Sequence, residues 1–407
     1  MKNFSELSLC TRLQSNLAKQ GFVQPTAVQA QAIPPALAGQ DVVATAQTGT
    51  GKTLAFLLPL LESLAGGRGQ DGIKALILSP TRELAIQTNE SFTQIAAGLG
   101  IQAAVAVGGL SEAHQLRAVR HGAQVLIATP GRLCDFLERR LVNLGGVRFF
   151  VLDEADRMLD MGFLPSLRTI LKAMPASRQT LFFSATIEKS VAHLVDAHVR
   201  NPIRVAIGPA TKPAEQVELH VYEVESDRKL SLLTNLIGRE PGTFLVFART
   251  KHGTDRLAKN LARTGVKAAR IHGGRTQSQR NQALNGFKDG EYRILVATDV
   301  AARGIHVEGI AHVVNYDLPQ VPEDFIHRVG RTGRAGAWGT ASTFSTRSER
   351  SEIRRIEQAL NVRLTPREAA TDPPREERPA PNVIRARVDG GAAGAQFASG
   401  RRQAGRR

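Results

Sequence analysis

The chain has 407 residues, which is too long for one ordinary hydrophobic core, so we expect two or three domains. No apolar run approaches the roughly 20 residues that span a bilayer, which excludes a membrane-spanning helix. A formal net charge of +16 favours a polyanionic partner, nucleic acid before a membrane surface; the alternative is a basic protein that is merely soluble. Two isolated cysteines and an N-terminus without a signal peptide's apolar region predict a cytoplasmic protein with no membrane partner.

Short apolar runs alternate with amphipathic, helix-like stretches in the first half of the chain. Because the runs are continuously apolar, we expect strands that are covered on both faces, as in a parallel α/β sheet. The predicted strands are residues 41–46, 74–80, 124–130, 149–156 and 179–186.

The second half repeats this pattern, with predicted strands at residues 242–250, 266–274, 292–300 and 310–319. We therefore predict two tandem α/β domains, residues 1–205 and 217–370, each a mostly parallel sheet with helices on both faces. Residues 206–216 are rich in Ala, Pro and Gly and are interpreted as a linker or a long surface loop. Residues 371–407 are rich in Pro, Gly and Arg and should be disordered, either touching nucleic acid loosely or only solubilising the protein.

A phosphate-binding loop is predicted between the first strand and the first helix of this pattern. Glycines permit tight turns that aim N–H groups inward, Lys52 can reach the outer phosphates, and the Thr53 hydroxyl can bind Mg²⁺. Ala46 stands where the general pattern has glycine, a small change. The nucleotide-binding residues of this loop are Ala46, Gln47, Thr48, Gly49, Thr50, Gly51, Lys52 and Thr53.

Three carboxylates, Asp153, Glu154 and Asp156, stand at the end of the apolar run in the predicted strand at residues 149–156. Crowded acids beside a core cost stability unless positive charge lies near them. Asp153, first after the apolar run, is placed to hold Mg²⁺ together with Thr53, and Glu154 to accept a proton from an attacking water. In the alternative reading, these acids merely pair with surface arginines.

In the segment Asp153-Glu154-Ala155-Asp156, the chain resembles the DEAD-box family of ATP-dependent RNA helicases in helicase superfamily 2. The resemblance covers roughly residues 4 to 365, with about ten motifs in the expected order. It implies two RecA-like domains that use ATP and Mg²⁺, and the short tail and compact core suggest a bacterial member of the RhlE-like kind.

The resemblance assigns further residues of the first domain. In "GFVQPTAVQ", Phe22 is expected to stack on adenine and Gln29 to hydrogen-bond its edge, since an amide offers both donor and acceptor. "SAT", with Ser184 and Thr186, is expected to couple hydrolysis to unwinding, together with Asp156 and His327. The expected RNA-contacting residues are Pro80, Thr81, Arg82, Gly108, Gly109, Thr129, Pro130, Gly131 and Arg132.

In the second domain, the resemblance makes Arg331 and Arg334 of "HRVGRTGR" arginine fingers that reach the γ-phosphate. Asp299 and Gly304 are expected to contact the nucleotide. His306 stands where the family usually has a ribose-binding Asp, so that contact is in doubt. The RNA-contacting residues expected here are Arg249, His272, Gly273 and Thr298.

The sequence thus predicts an RNA-stimulated ATPase that unwinds or remodels short duplexes and RNA–protein complexes locally. The expected partner is single-stranded or short duplex RNA, bound with little sequence preference, with ribosomal particles or the RNA-decay machinery as further candidates. Two alternatives stay open: a superfamily 2 DNA helicase, and an ATP-gated RNA clamp with negligible unwinding.

Overall fold

A computed structural model describes residues 1–46, 50–65, 72–187, 189–207, 216–302, 307, 309–333 and 338–368. Two seven-stranded parallel sheets dominate these residues, which confirms the predicted fold class. No helix among them is long and apolar enough to cross a membrane. The predicted tail and most of the predicted linker lie outside the described residues. The predicted domain boundaries stay a prediction.

The first sheet has the strand order β3-β4-β2-β5-β6-β1-β7. Its strands are β1 (Val42–Thr45), β2 (Ala75–Leu78), β3 (Ala103–Ala106), β4 (Val125–Ala128), β5 (Phe149–Leu152), β6 (Gln179–Ser184) and β7 (Ile203–Ala206). Its helices are α1 (Thr11–Lys19), α2 (Ala27–Leu37), α3 (Lys52–Leu64), α4 (Arg82–Ile95), α5 (Glu112–Arg120), α6 (Pro130–Glu138), α7 (Ala155–Asp160), α8 (Leu164–Lys172) and α9 (Lys189–His198).

The second sheet has the equivalent order β10-β11-β9-β12-β13-β8-β14. Its strands are β8 (Val217–Glu223), β9 (Thr243–Phe247), β10 (Ala268–Ile271), β11 (Ile294–Ala297), β12 (Ile310–Asn315), β13 (Gly339–Ser345) and β14 (Thr365–Arg367). Its helices are α10 (Lys229–Arg239), α11 (Lys251–Arg263), α12 (Gln277–Lys288), α13 (Asp299–Ala302), α14 (Pro322–Val329) and α15 (Arg350–Leu360). Short 3₁₀ turns are found at Phe4–Glu6, Ser226–Arg228 and Arg347–Glu349.

Successive residues of the central strands enter cores on opposite faces of the sheet. On β5, Phe149 and Val151 pack into one hydrophobic cluster, whereas Phe150 and Leu152 pack into the other. The second sheet divides its strands in the same way, with Leu245 on one face and Phe244 on the other. This two-sided burial explains why the strands read as continuous apolar runs.

All nine strands predicted from the sequence are present, and the structure adds β3, β7, β8, β13 and β14. The added strands lack a continuous apolar signal: β3 consists of small residues, β8 alternates with polar residues, and β13 is rich in Thr and Ser. β14 is exposed throughout. The spacing of apolar residues and the residue composition of a segment therefore do not suffice to predict edge strands and polar strands.

A buried histidine in the second sheet makes its stability dependent on pH. His312 on β12 bonds through Nε2 to the Ser342 hydroxyl at 2.8 Å and stacks on Phe244. Burial lowers its pKa from 6.5 to about 4. In the unfolded chain the His312 imidazole binds a proton near pH 6.5, whereas in the folded protein it stays neutral down to about pH 4. The contribution of neutral His312 to the free energy of unfolding is therefore full above pH 6.5 and is lost as the pH falls toward 4.

We predict that His312→Gln makes the fall in stability between pH 7.5 and pH 5 shallower by about 2 kcal/mol. Urea unfolding at pH 7.5 and pH 5 checks this. An equal fall in both proteins would contradict a buried, neutral His312.

Candidate functional site

The phosphate-loop region joins β1 to α3, as predicted, although Gln47, Thr48 and Gly49 lie outside the described residues. Gly51 precedes α3 with φ of +90°, a left-handed conformation that favours glycine. A Cβ atom there would lie 2.4 Å from Gln29 Nε2. The helix begins at Lys52, so its first turn presents Lys52 and Thr53 at the positive end of the helix dipole.

The acidic segment, residues 153–156, follows the end of β5 and lies opposite the start of this helix. Asp153 is buried, and its Oδ1 has no hydrogen-bond partner among the described residues; the same holds for Lys52 Nζ. Burial raises the pKa of Asp153 to about 7, against the opposing charge of Lys52. A buried ammonium and a buried carboxylate oxygen without partners are what a phosphate and a divalent cation would satisfy. The donor set therefore fits Mg²⁺ held by Asp153 and Thr53.

Glu154 takes an unusual backbone conformation beside Asp153, with φ of +53°. Its carboxylate pairs with Arg157, three residues along α7. Burial raises the pKa of Glu154, but the charges of Arg157, Lys52 and Arg331 outweigh burial and hold the pKa below its usual range. The side chain is thus a carboxylate at neutral pH. The structure contradicts pairing with surface arginines, because Arg157 is itself buried.

Asp156, the last residue of the acidic segment, contacts the end of β6, where the coupling residues Ser184 and Thr186 were predicted. Its Oδ2 accepts hydrogen bonds from the main-chain N–H groups of Ala185 and Thr186, both at 2.9 Å, and from the Thr186 hydroxyl at 3.3 Å. The Ser184 hydroxyl accepts from the Asp156 N–H at 3.2 Å. The Ser-Ala-Thr segment and the acidic segment are therefore joined as one unit.

We call the part of the chain built on β1 to β7 the first lobe and the part built on β8 to β14 the second lobe. The second lobe contributes to this site through α14 and the residues that follow it. Arg331 is buried and its charge acts on Glu154. Burial lowers the pKa of His327, as does the charge of Arg157, while Asp156 opposes the shift. Arg334, Gly304 and His306 lie outside the described residues, so their predicted contacts stay predictions. The structure thus brings Arg331 and His327 to the acidic segment.

The predicted adenine-reading residues lie close to the phosphate loop. Gln29 is buried on α2; its Oε1 accepts from the Thr26 N–H at 2.8 Å, and its Nε2 donates to the Gly51 carbonyl at 3.0 Å. Phe22 keeps 41% of its surface exposed and meets Phe4 edge-on. An exposed ring beside an anchored amide is an arrangement that can receive a planar base.

A cleft of about 520 Å³ crosses from the first lobe to the second. The first lobe adds Met161 and Phe163 to its wall, and the second adds Arg280 and Val300. Arg132, on this wall, is held by Glu112 and Asp135 at 3.0 and 3.1 Å. The predicted RNA-contacting residues that line it are Pro80, Thr81, Arg82, Gly108, Thr129, Gly131, Arg132 and Gly273.

The remaining predicted RNA-contacting residues are not among those that line this cleft. Gly109 packs under the Arg82 guanidinium, and Pro130 and Thr298 are buried. Arg249 is half-exposed, and its N–H donates to Asp317 Oδ2. The His272 ring is held by its own loop and by α11, because Nδ1 accepts from the Gly274 N–H and Nε2 bonds to Asp255 Oδ1 on α11, both at 3.2 Å.

Asp299 is paired with another protein side chain, and its predicted nucleotide contact stays a prediction. Both of its carboxylate oxygens accept hydrogen bonds from Arg328, at 2.5 and 2.8 Å, where a nucleotide contact was expected. Arg328 itself was not singled out, because one arginine in a basic motif carries no signal of burial.

A contact between the lobes was also missed by sequence reasoning. Glu83 on α4 is buried and accepts from Gln277 Nε2 at 3.0 Å and from Arg280 Nη2 at 2.9 Å, both on α12. Arg82 Nη1 donates to Gln277 Oε1 at 3.4 Å. These partners are almost 200 residues apart in sequence, and no local pattern predicts their pairing.

Comparison with known proteins agrees with this geometry. Residues 26–194 match the DEAD/DEAH box helicase family, and residues 228–336 match the helicase conserved C-terminal domain. The chain belongs to the DEAD-box helicase family. It is 40% identical over 328 residues to the DEAD-box ATP-dependent RNA helicase CshA of Streptococcus pneumoniae. The match covers 80% of this chain and 62% of that relative, so the chain spans less than two thirds of its length. The RhlE-like subgroup stays a prediction.

Solved structures of this DEAD-box family show the same two lobes. The S. cerevisiae Dbp5 structure bound to RNA and ADP BeF3 gives a TM-score of 0.83 at 29% identity, covering 91% of this chain and 96% of that one. A DEAD box protein from Methanococcus jannaschii is 37% identical but gives only 0.53, covering 90% of this chain and 99% of that one. Higher identity with a lower score indicates a different arrangement of similar lobes. We call the arrangement in the present DEAD-box chain closed, because α4 of the first lobe contacts α12 of the second.

We predict that Arg280→Ala weakens this closed arrangement, because it leaves the buried Glu83 carboxylate without its positive partner. The equilibrium constant for closure should fall at least about tenfold, since breaking such a pair costs several kcal/mol. Energy transfer between dyes on the two lobes, with RNA and a non-hydrolysable ATP analogue present, measures it. Arg355→Ala, which removes an exposed arginine from α15, is the matched control. Equal transfer in both variants would contradict a role for Arg280 in closure.

Proposed function

We propose that this DEAD-box protein is an RNA-stimulated ATPase that hydrolyses ATP to ADP and phosphate and thereby unwinds or remodels short RNA duplexes and RNA–protein complexes locally. The single observation that carries the proposal is the convergence of both lobes on one buried acidic segment. Lys52 from the first lobe and Arg331 from the second lobe act electrostatically on the same Glu154 carboxylate.

The chain's own residues divide the chemistry between them. Lys52, buried and without a partner among the described residues, would bind the outer phosphates of ATP. Mg²⁺ held by Asp153 and Thr53 would supply positive charge at the phosphate oxygens. Arg331 would stabilise the charge that develops on the transferred phosphoryl group, an effect typically worth about 10³ to 10⁵ in rate.

Glu154 would orient the attacking water. Its pKa is held below the usual range, so the ionised carboxylate accepts a hydrogen bond readily but attracts a proton weakly. Proton transfer to Glu154 is therefore expected late, as the water oxygen loses electron density to phosphorus. The Arg157 partner fixes the direction of the carboxylate.

RNA would lie in the cleft shared by the lobes. Its walls offer Arg82, Arg132 and Arg280, hydroxyls from Thr81 and Thr129, and glycines that allow close approach of the backbone. These groups suit phosphates and 2′-hydroxyls better than base edges, which predicts little sequence preference. Closure places RNA and ATP on the same two-lobed arrangement, so each ligand favours binding of the other. Cytoplasmic location and action on ribosomal particles or in RNA decay belong to this proposal as well.

RNA should stimulate ATP hydrolysis strongly, and a DNA strand of the same sequence should stimulate it weakly. The steady-state ATPase rate against the concentration of each strand tests this, with Lys52→Ala as the control that should abolish turnover and keep the thermal unfolding midpoint. Equal stimulation by both strands would favour the DNA helicase alternative. RNA-stimulated turnover in the Lys52→Ala variant would overturn the assignment of the phosphate loop.

Unwinding and clamping of RNA would use the same residues, so only a strand-separation assay distinguishes the two functions. A short RNA duplex should be separated by the unmodified protein with ATP. Glu154→Gln should lose separation and retain RNA in a long-lived complex, because binding survives while hydrolysis does not. A protein that holds RNA with ATP but never separates strands is the clamp.

A further inference from the structure

Arg328 is a buried arginine on α14, between His327 and Arg331. Its side chain is 2% exposed, and its guanidinium lies over the Phe247 ring at 5.0 Å. Nε donates to Asp299 Oδ1 at 2.5 Å and Nη2 donates to Asp299 Oδ2 at 2.8 Å, a bidentate pair. Such a fork fixes the orientation of both partners more strictly than a single contact does.

The remaining Arg328 contacts reach a second segment. Nη1 donates to Asn315 Oδ1 at 3.1 Å and to the Asp317 carbonyl at 2.7 Å, at the end of β12. The Asp317 carboxylate in turn accepts from the Arg249 N–H at 2.8 Å. One side chain thus joins α14 to α13 and to the loop that carries Arg249.

The two helices that Arg328 joins face different ligand sites. Val300 on α13 is 54% exposed and lines the cleft proposed for RNA. Arg331, two residues after the end of α14, acts on Glu154 in the other site, and its Nε donates to the carbonyl of His327 on α14 at 3.2 Å. Asp299, His327 and Arg331 line one small cavity. A shift of α13 therefore cannot occur without moving α14 or breaking the fork.

We propose that the Asp299–Arg328 pair is a positioning element that transmits occupancy of the RNA cleft to Arg331. The inference rests on the proposed RNA-stimulated hydrolysis and deepens it. RNA that settles against α13 selects the arrangement in which the fork is intact, and α14 then holds Arg331 toward Glu154. The pair supplies the physical link between two sites that coupling requires.

The test replaces Asp299 by Asn, which keeps the size and removes one of the two acceptors. The matched control is Glu223→Gln, because Glu223 and Arg350 form a similar bidentate pair, at 2.5 and 2.9 Å, on the exposed surface of the same lobe. The measured quantity is the ratio of ATP turnover at saturating RNA to turnover without RNA. Asp299→Asn should lower this ratio about tenfold, within the usual range of coupling between sites, whereas the control should keep it.

Two further readouts separate positioning from other roles. RNA affinity without nucleotide should change less than about threefold in Asp299→Asn, since the pair only relays occupancy. Asp299→Glu, which keeps the charge and both oxygens, should recover part of the ratio. It also provides the test if Asp299→Asn shows a collapsed thermal unfolding midpoint.

An unchanged ratio in Asp299→Asn would overturn the proposal, as would a fall of the same size in Glu223→Gln. A raised KM for ATP with an unchanged ratio would instead make Asp299 a nucleotide contact. Failure of the proposed function itself looks different, since the unmodified protein would then show no RNA stimulation.

Discussion

The balance of charge around the buried acids that follow β5 governs the rest of the structure. Asp153 and Glu154 leave a strand that is covered on both faces, where isolated carboxylates would be strongly destabilising. The cations that offset them come from separate parts of the chain: Lys52 from the phosphate-loop helix, Arg157 from α7 and Arg331 from the other lobe. Because one of these cations belongs to the second lobe, the stability of the acidic segment depends on how the lobes are arranged.

The parallel topology makes this convergence possible. In both sheets the polar segments follow the strands, so they gather at one edge. Lys52 and the segments after β5 and β6 meet around the acids, and the segments after β2 and β4 form part of the wall of the cleft. The sites proposed for hydrolysis and for RNA binding are therefore built on the same sheet, and bonds such as that from the Thr186 N–H to Asp156 Oδ2 join neighbouring segments at this edge.

Sequence reasoning reached the fold and the first-lobe site because both depend on local signals. Continuous apolar runs identified the central strands, and the glycine-bearing loop and the acids are contiguous in sequence. The pairs Glu83–Arg280 and Asp299–Arg328 carry no such signal, since their partners are distant and each residue type is common on surfaces. His272 and Asp299 show the limit of motif matching: the motifs predict ligand contacts for both, but only the coordinates reveal that their polar atoms bind neighbouring protein groups.

The close approach of Gly51 to Gln29 has an evolutionary consequence. Any side chain at position 51 would adopt a disfavoured backbone conformation and also collide with the amide that faces it. Shortening Gln29 would relieve the collision but remove the group expected to read the base, and the backbone penalty would persist. No single second substitution restores both the backbone conformation at position 51 and the amide at position 29. Substitutions at either position should therefore be selected against in any descendant that still uses an adenine nucleotide.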